Sequence, residues 1–339
     1  MKKVLLFILT VAFISPVLNA QVTEGEKKLK EKKIDTLQGW KKGGAFLLNF
    51  SQVSLTNWNA GGLNSFSLNG GANLYANYTK GKGQWENTLD LGYGILRQGR
   101  KDNVAWLKTD DKIDLFSKFG YAIHGKTKEG ETPKDPKLFY SALLNFRTQA
   151  TDGFAYPDDS TVISRFMAPG YMLLAAGLDY KPSKVFSAFV APLTMKNTFV
   201  MDQTLSNVGA FGVDTGSVAR VELGGYVRLQ LLLENVDAKR KAFQNIKFTS
   251  KLDLFSNYLN NPQNIDVNWE NMLQLKVNQY ISATVSTHLI YDHDIDIALF
   301  NDAGVQTGVG RRVQFKEVLG IGFAYTFKSL PPQNDPKQD

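Results

Sequence analysis

VQFKEVLGIGFAYTF, residues 313–327, is the stretch that decides the fold. Its odd positions include Val313, Phe315, Leu319, Ile321, Phe323, Tyr325 and Phe327. Its even positions are Gln314, Lys316, Val318, Gly320, Gly322, Ala324 and Thr326. Successive side chains of a β-strand point to opposite faces, so this strand has one apolar, aromatic side and one small or polar side. Two architectures use such a strand. In a soluble sandwich the aromatic side packs on a second layer; in a membrane barrel it meets lipid. Glu317 interrupts the apolar side. The segment 319–327 alone is about as long as a tilted bilayer-crossing strand. Glu317 is therefore expected at headgroup level, or turned aside by a bulge.

The same two-residue period recurs upstream. The clearest example sets Phe66, Leu68, Gly70, Ala72, Leu74, Ala76 and Tyr78 against Ser65, Ser67, Asn69, Gly71, Asn73, Tyr75 and Asn77. A strict Ser and Asn ladder opposite a long apolar stripe suits a barrel with a wet interior. Periodicity predicts about twelve strands, and bacterial single-chain barrels have even numbers. The weakest is 185–199, where Pro192 cannot donate to a ladder. The connections 80–83, 181–184 and 278–280 are tight, whereas 149–169, 200–216 and 292–311 are long. Tight and long connections fall on alternate ends, the asymmetry of barrels with short periplasmic turns and long external loops. The segment 124–137 is a misfit, being long for a periplasmic turn. The predicted fold class is all-β, a closed antiparallel transmembrane barrel over residues 41–327.

The chain has 339 residues, a net charge of +7, 12% aromatic residues and no Cys. Without Cys it forms no disulfide and no thiolate metal site, and no lipid can be attached to an N-terminal Cys. Basic residues are spread along the chain apart from KKLKEKK at 27–33, so nucleic acid is not an expected partner. Residues 1–20 pair Lys2 and Lys3 with an apolar run and end in Ala20, the pattern of a secretory signal peptide. Residues 21–40 read as a basic periplasmic segment, and 328–339 as a polar tail. No later stretch is apolar enough for a transmembrane helix. The expected location is the outer membrane, with both termini in the periplasm.

Several motifs resemble known sequences. The Phe-x-Tyr-x-Phe ending is similar to the closing strand of outer-membrane barrels, which the barrel-assembly machinery reads. Gly320, Phe323, Tyr325 and Phe327 are the candidate assembly signal on that resemblance. NFSQVSLTNWNAGG at 49–62, with GLDYKPS at 177–183, VNWEN at 267–271 and IYDHD at 290–294, resembles a Bacteroidetes-type outer-membrane family, domain of unknown function 3078. The resemblance implies an envelope barrel and supplies no substrate, cofactor or catalytic residue.

The predicted inner face carries mixed charge. The lumen-lining candidates are Glu86, Asp90, Asp114, Lys118, Arg147, Arg220, Glu222, Arg228, Lys251, Asp253, Glu270, Lys276, His288 and Lys316. A barrel of this size is narrower than a wide porin. The residues suit either a slightly anion-favouring pore for small hydrophilic solutes or a lumen closed by ion pairs across the ladder. A third hypothesis is an outer-leaflet lipid hydrolase, with His288 activating a serine. Ser286 lies two residues away, about 7 Å on one face, so a partner would have to come from another strand. No enzyme, cofactor or metal site is expected. Asp292, Asp294 and Asp296 mark an external acidic loop, where a solvated surface outweighs a Ca²⁺ site. Trp58 is an external-loop candidate, as a saccharide platform or an interfacial anchor. Expected partners are outer-membrane lipid and lipopolysaccharide, the assembly machinery, and an outer-membrane or periplasmic protein.

Overall fold

The computed structural model describes residues 38–55, 63–99, 106–123, 137–156, 158–234, 245–278, 280–300 and 306–329. The expected signal peptide, most of the basic segment, Trp58, most of the 124–137 connection and most of the polar tail lie outside the described residues. Twelve long strands form the wall: β1 (Gly39–Val53), β2 (Ser65–Lys80), β3 (Gly83–Gln98), β4 (Leu107–Ala122), β5 (Leu138–Thr148), β8 (Gly170–Tyr180), β9 (Phe186–Phe199), β10 (Ala219–Glu234), β11 (Ile246–Asn257), β12 (Ile265–Lys276), β13 (Ile281–Tyr291) and β16 (Gln314–Ser329). Two long connections carry small hairpins, β6 (Gly153–Phe154) with β7 (Val162–Ser164) and β14 (Ile297–Phe300) with β15 (Gln306–Gly310). A third holds the short helix α1 (Gln203–Asn207), capped by the Asp202 carboxylate accepting from Leu205 N–H.

The sheet closes in the order β1-β16-β13-β12-β11-β10-β9-β8-β5-β4-β3-β2. The last strand pairs with the first, Gly44 with Phe327, Phe46 with Tyr325 and Leu48 with Phe323. Closure leaves no unpaired sheet edge, which is what lets strands cross hydrocarbon. Leu319, Ile321, Phe323 and Tyr325 are all more than half exposed on the outer wall. The aromatic side of the deciding stretch therefore faces lipid. Glu317 is on that outer wall too. The β13–β16 register runs without a shift from Gln314 to Phe323, so no bulge turns it aside.

Pro192 has a clear place. Between β9 and β10 the pairing passes from Thr194–Gly224 to Ala191–Tyr226, so two residues of β9 oppose one of β10. Pro192 sits in this bulge, where the ladder is already interrupted. The bulge also reverses which side chains point inward, and that is why alternation along 185–199 reads poorly. Gly177 faces the bulge from β8. A Cβ there would collide with the Val190 carbonyl.

Candidate functional site

The strands carry their charged side chains into the lumen, where groups from non-adjacent strands meet. Glu270 on β12 accepts from Lys112 on β4 at 3.2 Å and from Arg147 on β5 at 3.1 Å. β4 and β12 lie six places apart in the ring of twelve, so Lys112 and Glu270 join opposite walls. Lys251 adds a third cation to Glu270 at 3.2 Å. Arg147 also grips Asp114 at 3.0 Å, and Lys112 lies 3.8 Å from it. Next to this bridge Arg228 holds Asp253 through both Nε and Nη2, at 2.6 and 2.8 Å. The waist thus sets Lys112, Arg147, Arg228 and Lys251 against Asp114, Asp253 and Glu270, leaving one positive charge in excess.

The bridge divides the lumen into unequal halves. On the β5-to-β11 side the interior is solid. Leu143, Ala175, Phe189, Ala191, Tyr226 and Phe255 form a buried cluster, with Phe116 and Leu173 packed on it. The guanidinium of Arg228 lies 4.8 Å from the Phe116 ring centre. Every buried charged residue on a strand, namely Asp114, Lys118, Asp179, Glu222, Arg228 and Asp253, belongs to β4, β8, β10 or β11. A uniformly wet lining is therefore the wrong description; this side is a protein core. The opposite side, β13, β16, β1, β2 and β3, presents Ser282, Thr284, Gly320, Gly322, Asn49, Asn69, Gly71 and Asn73 along its inner registers. Leu47, Tyr75 and Val318 share these inner registers, Ser282 and Thr284 are buried, and Asn73 is exposed. Asn73 donates to Asp90 on the same wall. Lys316 on β16 reaches Asp110 on β4 across this side. Those two side chains are 46% and 32% exposed, so their latch is wet, unlike the pairs in the core.

Further ion clusters close the packed side at both ends. Toward the tight turns, Lys118 pairs with Asp179 at 2.6 Å and with Glu86 at 3.3 Å, and Lys181 joins the same carboxylates. Burial alone would lower the Lys181 ammonium, but Glu86 and Asp179 overcome it and hold its pKa above the ordinary value. A hollow of about 310 Å³ opens there between Glu86, Lys118, Lys181, Gln230 and Thr249. Toward the long loops, Lys196 binds Asp266 at 2.7 Å and Asp292 at 3.1 Å, while Arg220 binds Glu222 at 2.7 Å and Asp294 at 3.4 Å. Ala168, Val200, Leu205 and Val213 give the loops above a small core of their own.

Several expectations change. Asp292 and Asp294 do not form a solvated acidic loop, because lumen cations draw them into the mouth; only Asp296 is exposed. Among the described residues no group of three His, Asp or Glu is placed to hold a metal. His288 Nε2–H donates to Asn268 Oδ1, and the ring lies 3.9 Å from Glu270. Among the described residues no serine bonds it, so no Ser-His arrangement is assembled there. Lys276 shares the inner side but is exposed at a strand end, with no ion pair among the described residues. Sequence reading missed Asp110, Asp179, Lys181, Lys196 and Asp266, and the inward aromatics Phe116, Phe189 and Phe255. The charged ones sit at strand ends, where a two-residue period is short. The aromatics lie on the side assumed to be wet.

Comparison with known proteins gives a family model and distant folds. Residues 50–154 match the model of a family described as a protein of unknown function (DUF3078). No curated protein matches the chain. Among solved structures it is similar to an outer membrane channel from Pseudomonas putida F1, at 12% identity over 88% of this chain and 98% of that one, with a TM-score of 0.37. It is also similar to the translocator domain of the autotransporter NalP from Neisseria meningitidis, at 10% identity over 91% and 100%, with a TM-score of 0.34. These likenesses are too distant to bear on function.

Proposed function

We propose that this chain is an outer-membrane barrel carrying a narrow, weakly anion-favouring path for small hydrophilic solutes. The path follows the wall of β13, β16, β1, β2 and β3, beside the bridge of Glu270. One observation carries the reading. The apolar cluster and the buried Arg228–Asp253 pair sit on one side of the bridge, and the inner registers of the other side are mostly Ser, Asn, Gly and Thr. A barrel needed only as a scaffold gains nothing from lining half its lumen with small polar side chains. In this reading His288 is structural, and Lys316 with Asp110 latches the path toward the long loops.

The orientation belongs to the same proposal. The ends Gly39 and Ser329 share a rim with the tight turns, and barrels keep such turns on the periplasmic side. Residues 1–20 then act as the export signal, and 21–40 and 328–339 extend into the periplasm. Gly320, Phe323, Tyr325 and Phe327 serve as the signal for the assembly machinery, a role that rests on the resemblance of the Phe-x-Tyr-x-Phe ending to the closing strands of outer-membrane barrels. Phospholipid and lipopolysaccharide surround the wall. The competing reading is an accessory subunit that presents a rigid external platform. It is favoured by the loop core around Leu205 and by Arg165, which ties Asp152 to Asp202.

Planar-bilayer recording of the full-length protein separates the two. The pore reading expects small, discrete, weakly anion-selective steps, abolished when an Asn73→Cys variant is modified by a bulky thiol reagent. A silent bilayer containing correctly folded protein sinks it and leaves the platform reading.

A further inference from the structure

The outer wall holds a feature that the lumen does not explain. At the tight-turn rim, Trp40, Tyr78, Trp85 and Phe119 fall on one line of cross-strand partners over β1 to β4. The rings of Trp40 and Tyr78 are 5.2 Å apart, and those of Trp40 and Trp85 5.8 Å. Aromatic belts are usual at a membrane interface. This one is interrupted by a hollow of about 480 Å³, lined by Tyr78, Trp85, Phe119, Tyr121, Lys80 and Lys82. Its floor is Gly83, which follows the turn and pairs with Tyr121. A Cβ at Gly83 would meet nothing closer than 3.5 Å, so the missing side chain leaves space that packing does not require. Lys82 lies 6.0 Å from the Tyr121 ring centre. Neither Lys80 nor Lys82 has a carboxylate partner among the described residues.

We propose that this hollow binds one anionic phospholipid, with an acyl chain against the rings and the phosphate at Lys80 and Lys82. The chemistry of the walls selects that occupant. Aromatic faces take a hydrocarbon chain, and two unpaired ammonium groups at the interface attract an anionic headgroup. A zwitterionic lipid would satisfy the rings and gain little from the lysines. The natural source, the periplasmic leaflet, rests on the orientation proposed above, but the binding chemistry does not.

The test uses full-length protein in nanodiscs of phosphatidylcholine containing increasing amounts of brominated phosphatidylglycerol or brominated phosphatidylcholine. Bromine quenches nearby tryptophan, and Trp40 and Trp85 report the site. The wild type is expected to prefer the glycerol lipid roughly tenfold, from two lysines at the surface. The preference should vanish in Lys80→Ala/Lys82→Ala, weaken in high salt, and survive Lys247→Ala at another part of the rim. Gly83→Val should fill the hollow and reduce quenching by both lipids. A wild type without preference, or a lysine double variant that keeps it, overturns the proposal. Both leaflets of the nanodisc are alike, so a wrong orientation cannot cause such a failure. Orientation is read separately, by labelling of long-loop residues on whole cells.

Discussion

Glu270→Ala probes the lumen most directly. The carboxylate holds three cations, Lys112, Arg147 and Lys251, each at 3.1–3.2 Å. Its removal breaks the only span joining opposite walls at the waist among the described residues. Two quantities should change. The first is stability. Breaking a fully buried pair costs about 3–5 kcal/mol, and an exposed one up to about 1. The side chains here are 16–29% exposed, and Arg147 keeps Asp114. A cost of about 2 kcal/mol is therefore expected. The second is ion flow. The waist goes from one excess positive charge to two. A unit charge about 5 Å from a passing ion in water is worth about 0.8 kcal/mol, and screening at physiological salt lowers this toward 0.5. Anion occupancy should rise roughly two- to fourfold and cation occupancy fall by the same factor. Recording in asymmetric potassium chloride should then show larger steps and a reversal potential shifted toward anions. Urea unfolding in detergent micelles gives the stability. A folded variant with unchanged conductance and selectivity would refute the idea that this bridge bounds an ion path.

Other outcomes follow from the same contacts. Lys118→Met takes from the buried Asp179 its 2.6 Å partner and leaves it only Lys181 at 3.3 Å, so it should cost about 2–3 kcal/mol; Asp179→Asn in the same chain should recover much of it, read by urea midpoints. Lys316→Ala opens the latch with Asp110, so conductance should rise while stability changes by less than about 1 kcal/mol, since the pair is wet. Gly177→Ala should impair assembly severely, whereas Gly71→Ala, whose nearest neighbour would be 3.6 Å away, should fold normally; heat-modified gel mobility compares them. The Lys181 pKa is raised on folding, so its contribution is complete below the ordinary 10.5 and is lost as pH rises through the folded value. Lys181→Met should therefore flatten the alkaline part of the stability profile.

The lipid-facing half of this protein was written in its sequence. Hydrocarbon accepts only apolar side chains and only fully paired backbone, so the outer wall must alternate in a period of two and the strand count must allow closure. Phe323, Tyr325 and Phe327, and the ladder from Ser65 to Tyr78, reported that constraint through local pattern alone. Tight turns such as Lys80-Gly81-Lys82-Gly83 reported the alternation of ends in the same way. The inner face obeys no comparable local rule. A side chain such as Phe189 or Arg228 can meet water, a cation, a carboxylate or a ring, depending on which strand stands opposite. Only ring closure brought Lys112 within 3.2 Å of Glu270, 158 residues away in the chain. The tertiary structure alone therefore decided that one side of the lumen is an apolar core and the other is lined mostly by small polar residues, and that Asp292 and Asp294 turn inward. Those contacts depend on distances across the barrel, which sequence spacing along a strand does not encode.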